Sequence, residues 1–83
     1  MTKIYAICTT LNAGYGEDKK RILDSGINIG DKVELENARV DRWSTKVYLV
    51  GYKNSFNSVF FDFVDENGKE YDIYNDKKFQ SCW

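Results

Sequence analysis

"SVFFDFVDENGKEYDIY", residues 58–74, decides the fold. Two runs that alternate apolar and polar residues flank Asn67-Gly68. Asn-Gly between such runs is a strong hairpin signal, because both central residues of a type I′ turn need positive φ. The pattern predicts strands over 58–64 and 69–74. Parity then sets their facing. Asp62 shares a face with Phe60 and Val64, so Val59, Phe61 and Phe63 are expected inward. By the same rule Tyr71 and Ile73 point in, while Glu70 and Asp72 point out.

Outward from the hairpin, "TKVYLVGYK" (45–53) reads as a long strand with Val47 and Leu49 inward. "INIGDKVELENARV" (27–40) opens with a Gly30-Asp31 turn and continues as a half-buried strand through Val33 and Leu35. Its alternation loses phase at Asn37, after which Ala38 and Val40 fall on the other parity; a bulge or bend near Asn37 accounts for that. "KIYAICTT" (3–10) is β-branched and aromatic, a further strand with Ile4, Ala6 and Cys8 toward the core. Between these, "EDKKRILDSG" holds a short surface helix with acids at its start and Gly26 at its end. The expected fold is mostly β: a small five-stranded antiparallel barrel or strongly bent sheet, with one short helix in the first long loop.

With 83 residues, the chain is expected to form one small β domain, 1–83. Aromatic content of 16% supplies large rings to fill a small core. Net charge is −1, so no general pull toward nucleic acid or membrane is expected, and sequence-specific nucleic-acid binding wants more positive charge. Residues 1–8 are too short for a secretory signal and lack a cleavage site, and no apolar run spans a bilayer. The expectation is a cytoplasmic protein with reduced cysteines, Cys8 being a small core residue and Cys82 lying near the other end.

Catalysis is not expected. There is no histidine, which removes the commonest general base and metal ligand, and no CxxC for zinc. Asp62, Asp65, Glu66, Glu70 and Asp72 gather around the hairpin, but their spacing matches no calcium loop, and charges near a turn are usually solvated. No cofactor and no metal are expected.

Binding residues are the better search. Gly14-Tyr15-Gly16 precedes the helix, where phosphate loops place their glycines. Neither phosphate-loop spacing is present, and Glu17 and Asp18 would repel an anion. The segment reads as a flexible loop with Tyr15 at its tip as a contact candidate. Lys19, Lys20 and Arg21 form a basic run, read as a solvated helix face or a weak anion contact together with Lys77 and Lys78. Tyr48, Val50, Tyr52, Phe60, Val64 and Tyr74 fall on the presumed outer side. As one patch they would exceed the ~300–600 Å² of apolar surface that a monomer normally shows. Three readings stay open: the helix and the 79–83 tail cover that face, the face makes a homodimer, or it binds another molecule. Tyr48, Tyr52 and Phe60, with Trp43 from the "DRWS" connection, are the candidate contacts.

Two resemblances follow. The order of first strand, long loop (10–28), "INIGDKVEL", polar connection, "STKVYLVGYK" and final hairpin resembles a Src-homology-3-like barrel. "SFNSVFF" carries no proline, so binding of proline-rich peptides is not implied. "IGDKVEL", "RWSTKVYLVGY" and "FNSVFFDF" together resemble small accessory proteins of phages and prophages of Gram-positive bacteria. That resemblance implies a counter-defence or accessory factor that binds and blocks a host protein. The alternatives are a sponge for a small nucleotide-like ligand, sequestering a nucleotide-derived signal, and a structural or assembly component. A blocking protein is expected to expose an aromatic or acidic face; a sponge is expected to have a concave pocket with convergent donors.

Overall fold

The computed structural model describes residues 3–12, 16–41 and 45–80. Five strands form one antiparallel sheet: β1 (Ile4–Cys8), β2 (Lys32–Val40), β3 (Thr45–Leu49), β4 (Ser55–Asn57) and β5 (Phe61–Asp65), in the order β4-β3-β2-β1-β5. One helix, α1 (Glu17–Ser25), lies between β1 and β2. The sheet is not closed. Its two edges, β4 and β5, are nonetheless joined by a single 3-10 turn, Ser58–Phe60. Three residues of 3-10 helix rise only ~6 Å, so the sheet must curl until its edges nearly meet. The mostly β, strongly bent expectation holds.

The curl comes from β2, which serves both halves. Its start pairs with β1 (Ala6 opposite Val33) and its remainder with β3. The register shifts between Leu35 and Asn37, where the sequence loses phase. The extra residue bends the strand and lets Leu35, Ala38 and Val40 all be buried. The predicted inward residues Ile4, Ala6, Cys8, Val47, Leu49, Phe61, Phe63 and Ile73 are buried too. In α1 only Ile22 reaches the core, with none of its surface exposed, and Gly26 ends the helix in the left-handed conformation at φ 83°.

Three expectations are corrected, one by a glycine turn and two by short side-chain-capped turns. The strand predicted over 45–53 stops at Leu49: Tyr52 N donates to Leu49 O (3.1 Å) across a turn with Gly51 at φ 90°, and the chain returns as β4. The strand predicted over 58–64 starts only at Phe61. Asn57 Oδ1 accepts from Val59 N (3.1 Å) and opens the 3-10 turn. That turn breaks the alternation, so Phe60 is fully buried beside Phe61, while Val59 is 49% exposed. The expected outward Phe60 and inward Val59 are therefore reversed. The last predicted strand reduces to one bridge, Val64 with Glu70. Asp72 then captures Tyr74 N (3.0 Å) and Asp76 captures Lys78 N (3.1 Å), each starting a 3-10 turn, Ile73–Asn75 and Lys77–Phe79. Gln80 returns beside Val40 as a parallel bridge.

The hairpin turn lies where predicted but is of another type. Gly68 N donates to Asp65 O (3.0 Å), and Asp65 Oδ1 accepts from Asn67 N (2.8 Å) and Lys69 N (3.0 Å). Gly68 has φ 80°, and no described non-glycine residue has positive φ. A type I turn followed by a left-handed glycine fits this; type I′ does not. Beyond Gly68 and its two chain neighbours, no described atom lies within 4 Å of where a Gly68 Cβ would stand, so a side chain there meets only backbone strain. Gly68→Val is expected to cost about 1–2 kcal/mol, read by chemical denaturation, and Gly68→Asn distinctly less. Equal stability of all three proteins would show that the left-handed geometry is not required.

Candidate functional site

The predicted contacts that the structure describes do not form one face. Gly14, Tyr15 and Trp43 lie outside the described residues. Gly16 precedes the first turn of α1 with φ 57° and makes no side-chain cap. Glu17 and Asp18 occupy that turn, and Asp18 Oδ2 accepts from Asn57 Nδ2 (3.2 Å), tying α1 to β4. Lys19 and Lys20 are exposed, while Arg21 reaches back to Glu17 (Nη2–Oε2 3.5 Å). Consecutive helical residues point about 100° apart, so these three cations diverge instead of gripping one anion.

Tyr52 packs edge-on against Phe56 (centroids 5.8 Å apart) at the margin of the core. Phe60 is inside the core and is no surface contact. Tyr48 stays half-buried on the outer side of β3. It faces a groove of about 690 Å³ shared with Asn37, Arg39, Lys78 and Gln80. Both cations there have carboxylate partners: Arg39 Nε–Asp41 Oδ2 at 3.6 Å and Lys78 Nζ–Asp76 Oδ2 at 3.7 Å.

A second groove, about 460 Å³, runs along the outer edge of β5. Phe61 and Phe63 line it with Tyr71 and Tyr74, and Asp62, Glu70 and Asp72 are its charged residues; among the described residues no lysine or arginine lines it. The three carboxylates are exposed. Tyr74, 44% exposed, is anchored by its hydroxyl to Ser58 Oγ (3.0 Å), next to exposed Val59. The hairpin acids thus divide by role. Asp65 closes the turn, Glu66 Oε1 accepts from Lys3 N (2.7 Å), and Asp62, Glu70 and Asp72 rim the groove. Among the described residues no group of carboxylates or cysteines is placed to hold a metal ion. No described helix is long and apolar enough to cross a membrane.

Below this groove Tyr71 donates its hydroxyl to Asp76 Oδ2. That bond, above all, holds the Asp76 carboxyl below the usual carboxylate range and raises the Tyr71 phenol. A depressed carboxyl adds stability that is present above its unfolded pKa of about 3.9 and is lost as pH falls through the folded value. The raised phenol adds stability that is lost above about pH 10. Tyr71→Phe is expected to shrink the loss of stability on acidification below about pH 4. Parallel acid titrations of the two proteins would contradict this coupling. Elsewhere, Cys8 is 1% exposed, and burial raises its thiol pKa, as suits a core residue; Cys82 lies outside the described residues.

The family described as "Bacteriophage T4 protein Y07B" matches residues 3–83. An "Uncharacterized 11.2 kDa protein in segB-ipI intergenic region" of Enterobacteria phage T4 is 33% identical over 84 residues, which cover 95% of this chain and 88% of the relative. No solved structure matches. The phage resemblance holds at this level. The relative comes from an enterobacterial phage, so these matches lend nothing to the Gram-positive part of the expectation.

Proposed function

The chain belongs to the phage family described as bacteriophage T4 protein Y07B, and from that premise we propose that it is an accessory, counter-defence factor. In this reading it has no catalytic step and works by binding and blocking a host protein. The acidic and aromatic groove on β5 is the observation that carries the reading. Aromatic anchors with a polar rim are what protein interfaces use, and three exposed carboxylates, with no lysine or arginine among the described lining residues, disfavour a phosphate-bearing ligand. The strand order and the long first loop support treating the scaffold as Src-homology-3-like, with the binding edge moved away from any proline-peptide groove.

The groove holding Tyr48, Arg39 and Lys78 favours a second reading, a sponge for a small nucleotide-like anion. It is the weaker one, because Asp41 and Asp76 already offset those two cations. Capture of tagged protein from infected-host lysate, with mass spectrometry of co-purified proteins and small molecules, separates the two. Blocking predicts a host protein in stoichiometric amount. A nucleotide-like ligand with no protein partner would overturn it in favour of the sponge.

A further inference from the structure

We propose that the outer edge of β5 takes an extended, basic segment of the partner protein as an added antiparallel strand, with a lysine or arginine opposite Asp62. This rests on the partner-blocking reading and gives that partner a chemistry.

The hydrogen-bond phase of β5 comes from its inner neighbour. Thr9 N donates to Phe60 O (2.8 Å), so the cross-strand pairs Ile7–Asp62 and Tyr5–Val64 turn the peptide groups of Asp62 and Val64 toward β1. Those of Phe61, Phe63 and Asp65 face outward. Most are used locally. Phe61 N donates to Ser58 O, Phe63 O accepts from Tyr71 N (2.9 Å), Asp65 N donates to Lys69 O (2.8 Å), and Asp65 O accepts from Gly68 N. Two remain: among the described residues, neither the Phe61 carbonyl nor the Phe63 N–H has a hydrogen-bond partner. An acceptor and a donor flanking one residue are the pair that an antiparallel strand engages opposite that residue. Here that residue is Asp62.

The edge is open because the hairpin's return strand leaves early. After Tyr71 the chain turns through the Asp72–Tyr74 bond and drives Ile73 into the core. The opening is the 460 Å³ groove.

Charge selects the occupant. Across the outer face one row runs Lys32, Ile7, Asp62, and the next runs Glu34, Tyr5, Val64, Glu70. A strand added beyond Asp62 meets its carboxylate directly, with Glu70 and Asp72 on the same groove. Opposite charges across a pair favour pairing, and like charges oppose it. A second copy is disfavoured on the same ground, because a two-fold antiparallel pairing centred here would set Asp62 against Asp62.

The test is NMR titration of ¹⁵N-labelled protein with two short synthetic peptides, one alternating lysine and valine, the other glutamate and valine. The lysine peptide is expected to move the Phe63 amide downfield, with further changes over 61–63 and 70–74 that weaken with salt. Asp62→Lys should weaken that peptide roughly tenfold and favour the glutamate peptide instead. Should Asp62→Lys fold poorly, Asp62→Asn is expected to lower the lysine preference without reversing it. Equal response to both peptides, shifts confined to the Arg39–Lys78 groove, no response, or concentration-dependent Phe63 shifts in the protein alone would overturn the inference. If Asp62→Lys still captures the wild-type host partner with unchanged affinity, the edge is wrong and blocking stands. If wild type captures no host protein, blocking itself fails.

Discussion

Phe60→Ala is expected to cost about 3–5 kcal/mol, whereas Val59→Ala, one residue earlier, should cost little. Phe60 has no exposed surface and lies edge-on to Phe61 (6.5 Å), which in turn contacts Phe56 (6.2 Å) and Phe63 (6.4 Å). Removing the ring empties the point where the two sheet edges are joined, and a 3-10 turn pinned by Asn57 cannot collapse into the space. A chain of this size has a thin margin, so the variant should melt far below wild type. Alternation through 58–64 would predict the opposite, with Val59 sensitive and Phe60 tolerant. Urea denaturation of the two variants therefore decides the facing of this segment.

Ile73→Ala is expected to cost about 2–5 kcal/mol. Ile73 is fully buried, the first core contact after the hairpin's return strand has ended. The segment beyond it is held by Phe79, by the Tyr71–Asp76 hydrogen bond and by the Val40–Gln80 bridge. Losing the isoleucine should loosen all three, so hydrogen exchange should quicken over 73–80 more than in β3. Uniform quickening through the whole sheet would show that the segment is not a separate unit of stability.

Where alternation is uninterrupted, facing was legible in the residues: Ile4, Ala6 and Cys8 on β1, Val47 and Leu49 on β3, and the phase slip at Asn37 on β2. Facing failed after Asn57, and strand length at Asp72, where a side chain captured a backbone N–H two residues on, as Asp76 does in the tail. Such turns compete locally with the strand ladder. Their signal was present in "NSV", "DIY" and "DKK" and outweighs hydrophobic period over so few residues. The acids near the hairpin were visible as a cluster, but not the groove they rim. Its existence depends on which side of β5 is left unpaired, and that is fixed by β1, more than fifty residues earlier in the chain. The expected aromatic face dispersed because Phe60 turned inward, Tyr52 packed on Phe56 and Tyr48 joined a different groove. Gly14, Tyr15 and Trp43 fall outside the described residues.

The central claim is that this phage protein acts through a protein contact on the β5 edge. Amide hydrogen exchange of the complex with the captured host protein tests it most directly. The account predicts strong slowing at Phe63, where the outward N–H gains a partner, with flanking protection at 61–62 and 70–74 and little change at Arg39, Tyr48 and Lys78. Unchanged exchange at Phe63, with protection gathered around Arg39, Tyr48 and Lys78, would contradict it.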